Sequence, residues 1–459
     1  MVTITSSYTV FPSEPTPNIP MWLSESDEIN PWTHAPIITV YKPNNIIGNP
    51  IETMKISLAK ILVHYYPLAG RLRWIGGGRL QVDCNGKGAE LLEAESTKNM
   101  AEYGDFEPSE AMKDLLPDVD YHSCPIQDVP LLLVQFTKFP CGGLTLGFKT
   151  SHIIMDGWAT FCFFKSWAKL ARGERLEENE LPFLDRTVLK SFEPLMPPRY
   201  EHNELKELPL ILGCSDNMSE RMKETRVTLL RLTKQQVEKL KDKANEDRLS
   251  SQSARPYTRF EAVAGHIWRC ASKARHGGDK LKNHQPTAVR FTADVRNRLN
   301  PPLPANYFGN AILRSVTPTC FFGDIISNPL SYSAQKMREA TKLLTDDFLR
   351  SQLDFITRQQ NVDWLRASFH IRNYLKGPFF GNPNMSIGSW LPLPMYQEDF
   401  GWGKPVYVGP ASLNDDGKTF ILPTGPNGDG SILVALRLQT VHMEVFKGFF
   451  YNDIYASKL

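Results

Sequence analysis

Residues 144–172 read LTLGFKTSHIIMDGWATFCFFKSWAKLAR, and this stretch predicts the fold around it. Its first six residues are typical of a buried strand, and apolar residues recur at helical spacing from Gly157 to Arg172. His152 and Asp156 lie between the predicted strand and helix. Side chains at such junctions can project into a cleft. A neutral imidazole there can accept a proton near neutral pH, so His152 is the candidate catalytic base.

The H-x-x-x-D pair alone admits other interpretations. A zinc site would need further ligands nearby, but the neighbours of His152 are Ser151 and apolar residues, so no metal site is predicted. A serine hydrolase would usually show G-x-S-x-G, which this chain lacks. A core histidine satisfied by a hydrogen bond is the third alternative, and the pair itself leaves it open.

The sequence before this stretch alternates strand and helix patterns. Residues 37–41 predict a strand, and residues 51–65 predict a helix because apolar residues recur near helical spacing. Residues 131–136 predict another strand, which pairs with 144–149 through the Pro-Cys-Gly-Gly turn at 140–143. Together these segments predict an α/β layer.

The second half of the chain repeats this style after an irregular segment. Residues 174–223 are rich in Pro, Glu and Asn without a sustained period, which predicts a crossover. Residues 226–232 predict a strand, and residues 331–356 predict one long helix. Two capping boxes predict further helix starts: Thr233 with Gln236, and Thr258 with Glu261.

The length of the chain predicts two domains. Its 459 residues exceed what one hydrophobic core usually organises, since single cores stop growing at about 250 to 300 residues. We expect an N-terminal domain over residues 1–175 that carries His152, a crossover linker over 176–223, and a C-terminal domain over 224–459. A site between the two domains is then the natural expectation.

Charge and composition indicate which classes of partner the protein binds. The chain has 52 Lys and Arg against 50 Asp and Glu, without a long run of one sign, so we expect a small-molecule partner rather than nucleic acid or a membrane. Seven cysteines without a C-x-x-C pair indicate a reducing compartment. We expect no signal peptide or membrane span, and hence a cytoplasmic protein. The ending Ser457-Lys458-Leu459 makes the peroxisome an alternative location.

A second segment, far downstream, gives the His152 region its context. Asp399-Phe400-Gly401-Trp402-Gly403 follows a Pro-bounded strand pattern. H-x-x-x-D and D-F-G-W-G in this order closely resemble the plant BAHD acyltransferase family. Further segments match the family in order and spacing along nearly the whole chain: residues 65–72, 264–269, 294–299 and 306–310.

The resemblance implies a fold and a reaction. It implies a monomer of two similar-sized chloramphenicol-acetyltransferase-like α/β domains, each a mixed sheet with helices, with a channel between them. Acyl-CoA would enter the channel as a co-substrate from one face and the acceptor from the other, with no bound cofactor. His152 would deprotonate the acceptor. Trp390, which matches the family's Ser-Trp pair, would offer its indole N–H to the oxyanion.

The resemblance also implies structural roles near the site. Asp156 would turn away from the base and pair with Arg296 or Arg298, rather than orient the imidazole as in a catalytic triad. The D-F-G-W-G segment would shape a loop near the CoA channel without touching the reacting atoms. The residues that would hold that loop are Asp399, Gly401 and Gly403.

The acceptor is suggested by resemblance within the family. Residues 2–17 and 183–187 resemble the hydroxycinnamoyl transferases of the family, which acylate shikimate, quinate or amines. After His34, Ile37 and Thr39 stand where shikimate users have a serine and a tyrosine, and Gly388 replaces a threonine. Arg366 could correspond to the carboxylate-binding arginine of those enzymes. The acceptor-pocket candidates are therefore His34, Ile37, Thr39, Gly388 and Glu398.

These departures favour a less oxygenated acceptor, because each unpaired buried polar group costs about 1 to 3 kcal/mol. We expect transfer of a hydroxycinnamoyl-type group to an aliphatic amine such as spermidine, which gives an amide. Glu398 and Asp354 are candidate carboxylates for attracting the amine cation, although solvated surface charge is the simpler interpretation of each. O-acylation of shikimate or quinate, a non-catalytic accessory protein and a thioester hydrolase are the alternatives.

Overall fold

The computed structural model describes residues 1–42, 49–246, 255–366 and 379–456, which form sheets flanked by helices. The strands are β1 (Val2–Val10), β2 (Pro20–Trp22), β3 (His34–Tyr41), β4 (Arg71–Gly76), β5 (Arg79–Asp83), β6 (Ala89–Ser96), β7 (Leu132–Lys138), β8 (Leu144–Ser151), β9 (Thr225–Leu232), β10 (Pro286–Thr287), β11 (Val289–Asp294), β12 (Ile312–Val316), β13 (Cys320–Phe321), β14 (Met385–Ser389), β15 (Tyr407–Pro410), β16 (Lys418–Pro423) and β17 (Ile432–Gln439). The helices are α1 (Glu25–Glu28), α2 (Pro50–His64), α3 (Glu110–Lys113), α4 (Gly157–Ala171), α5 (Met218–Arg221), α6 (Lys234–Asn245), α7 (Arg259–His276), α8 (Phe322–Ser327), α9 (Leu330–Lys342), α10 (Asp346–Thr357) and α11 (Thr440–Tyr455).

The first large sheet has six strands in the order β1-β6-β7-β8-β3-β15. The predicted hairpin is confirmed, since β7 pairs antiparallel with β8 and places Phe136 opposite Leu146. On the other side, β8 pairs with β3 and places Phe148 opposite Ile37. Because side chains alternate along a strand, these residues share one face. That face packs on α4, where the rings of Phe148 and Phe164 stack with centroids 4.0 Å apart.

Helix α2 covers the same core beside α4. Its start agrees with the sequence, because the Asn49 side chain accepts a hydrogen bond from the Glu52 N–H and Pro50 occupies the first turn, where no N–H is needed. Trp167 of α4 donates its indole N–H to Ser57 of α2 at 2.9 Å. The apolar stripe predicted on α4 is therefore a core face.

The second large sheet has the order β12-β11-β14-β16-β17-β9 and mixes parallel with antiparallel pairs. One face is buried against α7, α9 and α11 through residues such as Ile387, Leu436 and Phe446. Gly265 allows α7 to approach α9, because a Cβ there would lie 2.9 Å from the Ala334 nitrogen. Both predicted capping boxes are present, at the starts of α6 and α7.

One strand crosses the predicted domain division. Strand β15 belongs to the C-terminal half of the chain but pairs antiparallel with β3 of the first sheet, with Val408 opposite Thr39. Between α4 and β9, residues 172–224 are largely irregular, as the predicted crossover requires, with only short helical turns. The division at residues 176–223 stays a prediction, and β15 shows that the first sheet is completed from beyond it.

The prediction of one helix over residues 331–356 is wrong. The structure has two helices there, α9 ending at Lys342 and α10 beginning at Asp346. The side chain of Thr345 accepts a hydrogen bond from the Phe348 N–H and so caps α10. Apolar spacing continues across this break, which is why periodicity alone did not reveal it. Among the described residues, no helix is long and apolar enough to cross a membrane, and Ser457-Lys458-Leu459 lies outside them.

Candidate active site

His152 stands directly after β8, one residue past Ser151. Its N–H donates to the Thr33 carbonyl at 3.1 Å, and the Ser151 hydroxyl donates to the Trp32 carbonyl at 2.7 Å. These bonds tie the end of β8 to the segment that leads into β3. The side chain is partly buried, and its Nδ1 atom has no well-aligned hydrogen-bond partner among the described residues. The backbone on both sides of the candidate base is thus held firmly.

The carbonyl groups of the H-x-x-x-D loop are held by side chains from distant segments. The Asn310 amide donates to the His152 carbonyl at 2.9 Å and to Asp27 at 3.0 Å. Arg186 donates to the Ile154 carbonyl at 2.6 Å and forms a buried ion pair with Asp27 at 2.8 Å. This network fixes the loop that carries the candidate base. The sequence motifs at 183–187 and 306–310 contain Arg186 and Asn310, but gave neither a role.

Asp156 is fully engaged away from the imidazole. It caps α4 by accepting the Ala159 N–H at 3.0 Å, and it accepts the Ala311 N–H at 2.8 Å. Arg296 donates to its two oxygens at 2.8 and 3.0 Å. Arg298, the alternative partner, instead donates to the Leu344 carbonyl at 3.4 Å. The structure therefore provides no triad of the serine-protease kind among these residues.

The electrostatic environment keeps His152 neutral. Burial lowers the pKa of the imidazole below its ordinary value, and Lys418 lowers it further, while a backbone hydrogen bond and the Asp156 charge partly oppose these effects. Since a buried site disfavours the charged form, the ring is unprotonated near neutral pH. A neutral imidazole is the form that can act as a base.

Trp390 follows β14 and faces the start of α4. Its ring lies edge-on to Phe161 of α4, with centroids 6.1 Å apart, and 4.9 Å from the ring of Phe420. A Cβ on Gly157 would lie 2.9 Å from Leu393, so the segment after β14 packs directly on the first turn of α4. The partly exposed Trp390 indole N–H makes no hydrogen bond to a described residue. It is available as the predicted donor.

The D-F-G-W-G segment forms a tight loop around one carboxylate. Asp399 accepts the N–H groups of Gly401 and Gly403, both at 2.9 Å. The two glycines have φ values of +103° and +94°, which side chains with a Cβ rarely adopt. Phe400 and Trp402 are buried in the core of the first sheet, where their rings stack on each other. The loop anchors itself to that core, in keeping with the predicted structural role.

The predicted acceptor-pocket residues on β3 do not share one surface. His34 lies on the opposite face from Ile37 and Thr39, because side chains alternate along a strand. Its ring bonds to the Tyr121 hydroxyl at 2.8 Å and to the Pro130 carbonyl at 2.7 Å. Ile37 and Thr39 point into the buried core of the first sheet. These three side chains therefore do not line one surface, and their assignment to the acceptor pocket stays a prediction.

The other two candidates also have local structural explanations. Gly388 on β14 lies opposite Phe420, and a Cβ there would approach the phenyl ring to 3.0 Å. Glu398 is only 1% exposed and lies beside Thr39. Burial raises the pKa of its carboxyl group to about 7. It is therefore no solvated anion at a channel mouth.

Arg366 is not available for a substrate carboxylate. It donates to Glu28 at 2.7 Å, to Asp363 at 2.9 Å and to the Gly78 carbonyl at 2.7 Å. The side chain is buried in these contacts. The suggested correspondence to a carboxylate-binding arginine is therefore wrong, because this guanidinium already holds parts of the protein together.

The sequence analysis did not identify three cationic side chains of the second sheet that are buried or partly buried: Arg290, Arg314 and Lys418. A signal existed in the sequence, since Arg290 and Thr292 alternate with Val289 and Phe291 along one strand. Such alternation predicts that one face of the strand lies outside the hydrophobic core.

A cleft of about 1550 Å³ is lined by both sheets. His34, Gln135 and Lys149 of the first sheet form one side, and Arg226 and Arg437 of the second sheet form the other. His34 pairs with Ser151, the residue before His152, although His152 itself is not among the residues that line the cleft. The cleft is the candidate for the predicted channel. Within the described ranges, no group of His, Cys, Asp or Glu has the arrangement of a metal site.

Comparisons with known proteins agree with this architecture. The chain matches a family model described as the Transferase family over residues 1–453. Hydroxycinnamoyl-CoA:piscidic acid hydroxycinnamoyltransferase of Actaea racemosa is 46% identical over 99% of this chain and all of its own length. Shikimate O-hydroxycinnamoyltransferase of Nicotiana tabacum is 37% identical over 98% of this chain and 99% of its own. Anthranilate N-benzoyltransferase protein 2 of Dianthus caryophyllus is 35% identical over the same shares.

Solved structures show the same fold at low sequence identity. Vinorine synthase matches with a TM-score of 0.70 at 22% identity, covering 97% of this chain and 96% of that one. F. graminearum TRI101 with coenzyme A and deoxynivalenol matches with a TM-score of 0.76 at 16% identity, covering 94% and 97%. The predicted α/β class, with mixed sheets flanked by helices, is confirmed. Because the family model matches nearly the whole chain and several relatives exceed 30% identity, the chain belongs to the Transferase family, the BAHD acyl-CoA-dependent acyltransferases.

Proposed function

We propose that this protein transfers a hydroxycinnamoyl group from its CoA thioester to a small acceptor, with His152 as the general base. The observation that carries the proposal is the setting of His152, which stands directly after β8 where burial lowers its pKa, while Asp156 is committed to Arg296. An imidazole held neutral in this way can take a proton from an attacking nucleophile. The names of two relatives support hydroxycinnamoyl as the acyl group.

The proposed reaction needs two steps. As the acceptor oxygen or nitrogen attacks the thioester carbonyl, its proton passes to His152. The resulting tetrahedral intermediate carries its negative charge on the former carbonyl oxygen, toward which the Trp390 indole N–H would donate. Collapse then breaks the C–S bond, and the departing CoA thiolate takes the proton from the imidazolium. Atoms and charges balance without an acyl-enzyme or a bound cofactor.

We place the nucleophile on an organic acid rather than on the polyamine that the sequence predicts. Piscidic acid, shikimate and anthranilate, the acceptors in the relatives' names, all carry a carboxylate. The carboxylates suggested to attract an amine give no support, since Glu398 and Asp354 are 1% and 9% exposed. A hydroxyl on an acid is the first candidate nucleophile. An aromatic amine on an acid is the second, favoured by the anthranilate relative.

The test is product analysis with a panel of acceptors. Purified protein would receive p-coumaroyl-CoA with piscidic acid, shikimate, anthranilate or spermidine in separate reactions, followed by CoA release and product mass. We expect an ester with one of the hydroxy acids. An amide of anthranilate supports the second candidate, and an amide of spermidine would overturn the acid acceptor. Free p-coumaric acid as the sole product would indicate a hydrolase, and no turnover with any acceptor would indicate an accessory protein.

A further inference from the structure

Three cationic residues share one face of the second sheet. Arg290 on β11 pairs with Ser386 on β14, and Ser386 pairs with Lys418 on β16. Laterally paired residues point to the same face of a sheet, with adjacent strands about 4.8 Å apart. Arg314 on β12 lies opposite Thr292, two residues along β11 from Arg290, and so shares this face. We call Arg290, Arg314 and Lys418 the cationic row.

The cationic row lies on the face opposite the hydrophobic core. The residues that alternate with it, including Val289, Leu313 and Ile387, are buried in the core formed with α7, α9 and α11. The row nevertheless is not on an open surface, because Arg290 is 2% and Arg314 is 6% exposed. Buried guanidinium groups normally require an anionic partner.

The described residues satisfy these guanidiniums only in part. Arg290 donates through Nη2 to the Lys206 carbonyl, and its Nε and Nη1 have no partner among the described residues. Arg314 donates through Nη2 to the carbonyls of Ile29 at 2.9 Å and Leu365 at 2.6 Å, while its Nη1 has none. Within the described part of the chain, neither guanidinium forms an ion pair at 4 Å or less. Nitrogen donors on two buried cations therefore have no hydrogen-bond partner among the described residues.

The nearby carboxylates do not balance the row completely. The charge of Glu204 favours the protonated form of both arginines. However, this carboxylate is hydrogen-bonded to His202 at 2.7 Å rather than to either guanidinium. Asp415 acts on Lys418, and burial raises the pKa of this aspartate to about 6. The two arginines also repel each other electrostatically, because both are positively charged. An additional anion would relieve this imbalance.

The cationic row adjoins the candidate active site. Lys418 is close enough to His152 to influence its protonation. Strand β14 carries Ser386, which pairs with both Arg290 and Lys418, and ends at Ser389, directly before Trp390, the predicted oxyanion donor. The Gly417 N–H donates to the Arg437 carbonyl, which places Lys418 beside a residue that lines the cleft. An elongated ligand could therefore touch both the row and the base.

We propose that the cationic row is the subsite for the carboxylate of the acceptor, and that it selects acids over neutral or cationic nucleophiles. The proposal rests on the proposed acyl transfer, because it names the part of the acceptor that the row binds. The carboxylate would accept charge-assisted hydrogen bonds from the free Arg290 and Arg314 nitrogens and lie near the Lys418 ammonium. The nucleophilic group at the other end of the acid would then reach His152.

The test compares an acid with its uncharged analogue. We would measure kcat/KM for piscidic acid and for its diamide, which has nearly the same shape, at saturating p-coumaroyl-CoA. The variants are Arg290→Gln, Lys418→Gln and the charge-conserving Lys418→Arg. Arg231→Gln, an exposed cation on β9 of the same sheet, is the matched control. Thermal unfolding of each variant reports whether it folds. If Arg290→Gln does not fold, Lys418→Gln still tests the proposal.

We expect wild type and Arg231→Gln to favour the acid by about 10- to 100-fold, the range for hydrogen bonds to a charged group. In Arg290→Gln and Lys418→Gln the acid and the diamide should become nearly equal, whereas Lys418→Arg keeps most of the preference. Equal losses with acid and diamide, or an unchanged preference, would overturn the subsite. Equal use of acid and diamide by the wild type would overturn the subsite alone, whereas no conjugate with any acceptor of the panel would overturn the proposed function as well.

Discussion

At the residue scale, His152 and Asp156 have separate tasks although they share one motif. Asp156 is saturated by Arg296 and two backbone N–H groups, so it builds the loop. His152 is left outside this ion pair, and burial depresses its pKa. The motif could be found from the sequence. The partner arginine could only be narrowed to two positions, because a spacing of two residues does not reveal which side chain turns inward.

The lowered pKa of His152 predicts the pH dependence of catalysis. Protonated imidazole cannot accept a proton, so kcat/KM should fall as pH falls through the pKa of His152. Since burial depresses that pKa, the acid limb should lie below the ordinary value of about 6.5. Initial rates at constant ionic strength from pH 4.5 to 9 would measure it. An acid limb centred above 7 would contradict the assigned environment.

Breaking the Asp156 ion pair should destabilise the fold. Asp156→Asn leaves the buried Arg296 guanidinium without its counter-charge, so the free energy of unfolding should fall by about 3 to 5 kcal/mol. Urea denaturation would measure the change. Asp128→Asn, which removes an exposed pair with Lys87, is the control and should change little. A similar small effect for Asp156→Asn would remove the structural role given to this aspartate.

At the element scale, the D-F-G-W-G loop is set by backbone conformation. A Cβ on Gly401 would meet nothing closer than Arg172 at 3.8 Å, so space does not explain this glycine. Its φ of +103° does. Gly401→Ala should therefore lower the free energy of unfolding by about 1 to 3 kcal/mol and reduce activity through the loop. Chemical denaturation and the KM for p-coumaroyl-CoA measure the two effects.

A glycine in α11 provides a control, because its substitution by alanine should raise stability rather than lower it. Gly448 is exposed in the interior of α11, and a Cβ there would meet no atom within 4 Å. Gly448→Ala should stabilise the protein by about 0.5 to 1 kcal/mol, because alanine favours a helix. Wild-type stability in Gly401→Ala, or full activity in the bulkier Gly401→Trp, would count against the account of the loop.

Local elements were the most predictable part of the fold. The hairpin of β7 and β8, the two capping boxes and the start of α4 depend on residues close in sequence, and the sequence indicated all of them. The break between α9 and α10 was missed because Thr345 caps the second helix within a continuous apolar pattern. Strand β15 could not be assigned to the first sheet, since its partner β3 is more than 360 residues away.

At the scale of the whole molecule, the site is assembled from segments that the sequence keeps far apart. Asn310 and Arg186 hold the loop of His152 from 158 and 32 residues away along the chain. The cationic row comes from three different strands, and register alone brings it together. A single sequence reveals which residues can carry chemistry. It does not reveal which of them face one another, and for that reason His34 was grouped with Ile37 and Thr39, which lie on the other face of β3.

The central claim is that His152 acts as the base in direct acyl transfer from CoA. The most direct measurement compares wild type with His152→Ala, using p-coumaroyl-CoA and the best acceptor of the panel, and counts CoA released against conjugate formed. We predict one conjugate for each CoA in the wild type, and a rate about 10²- to 10⁴-fold lower in a variant with unchanged thermal unfolding. Conjugate formation at the wild-type rate by folded His152→Ala would contradict the claim.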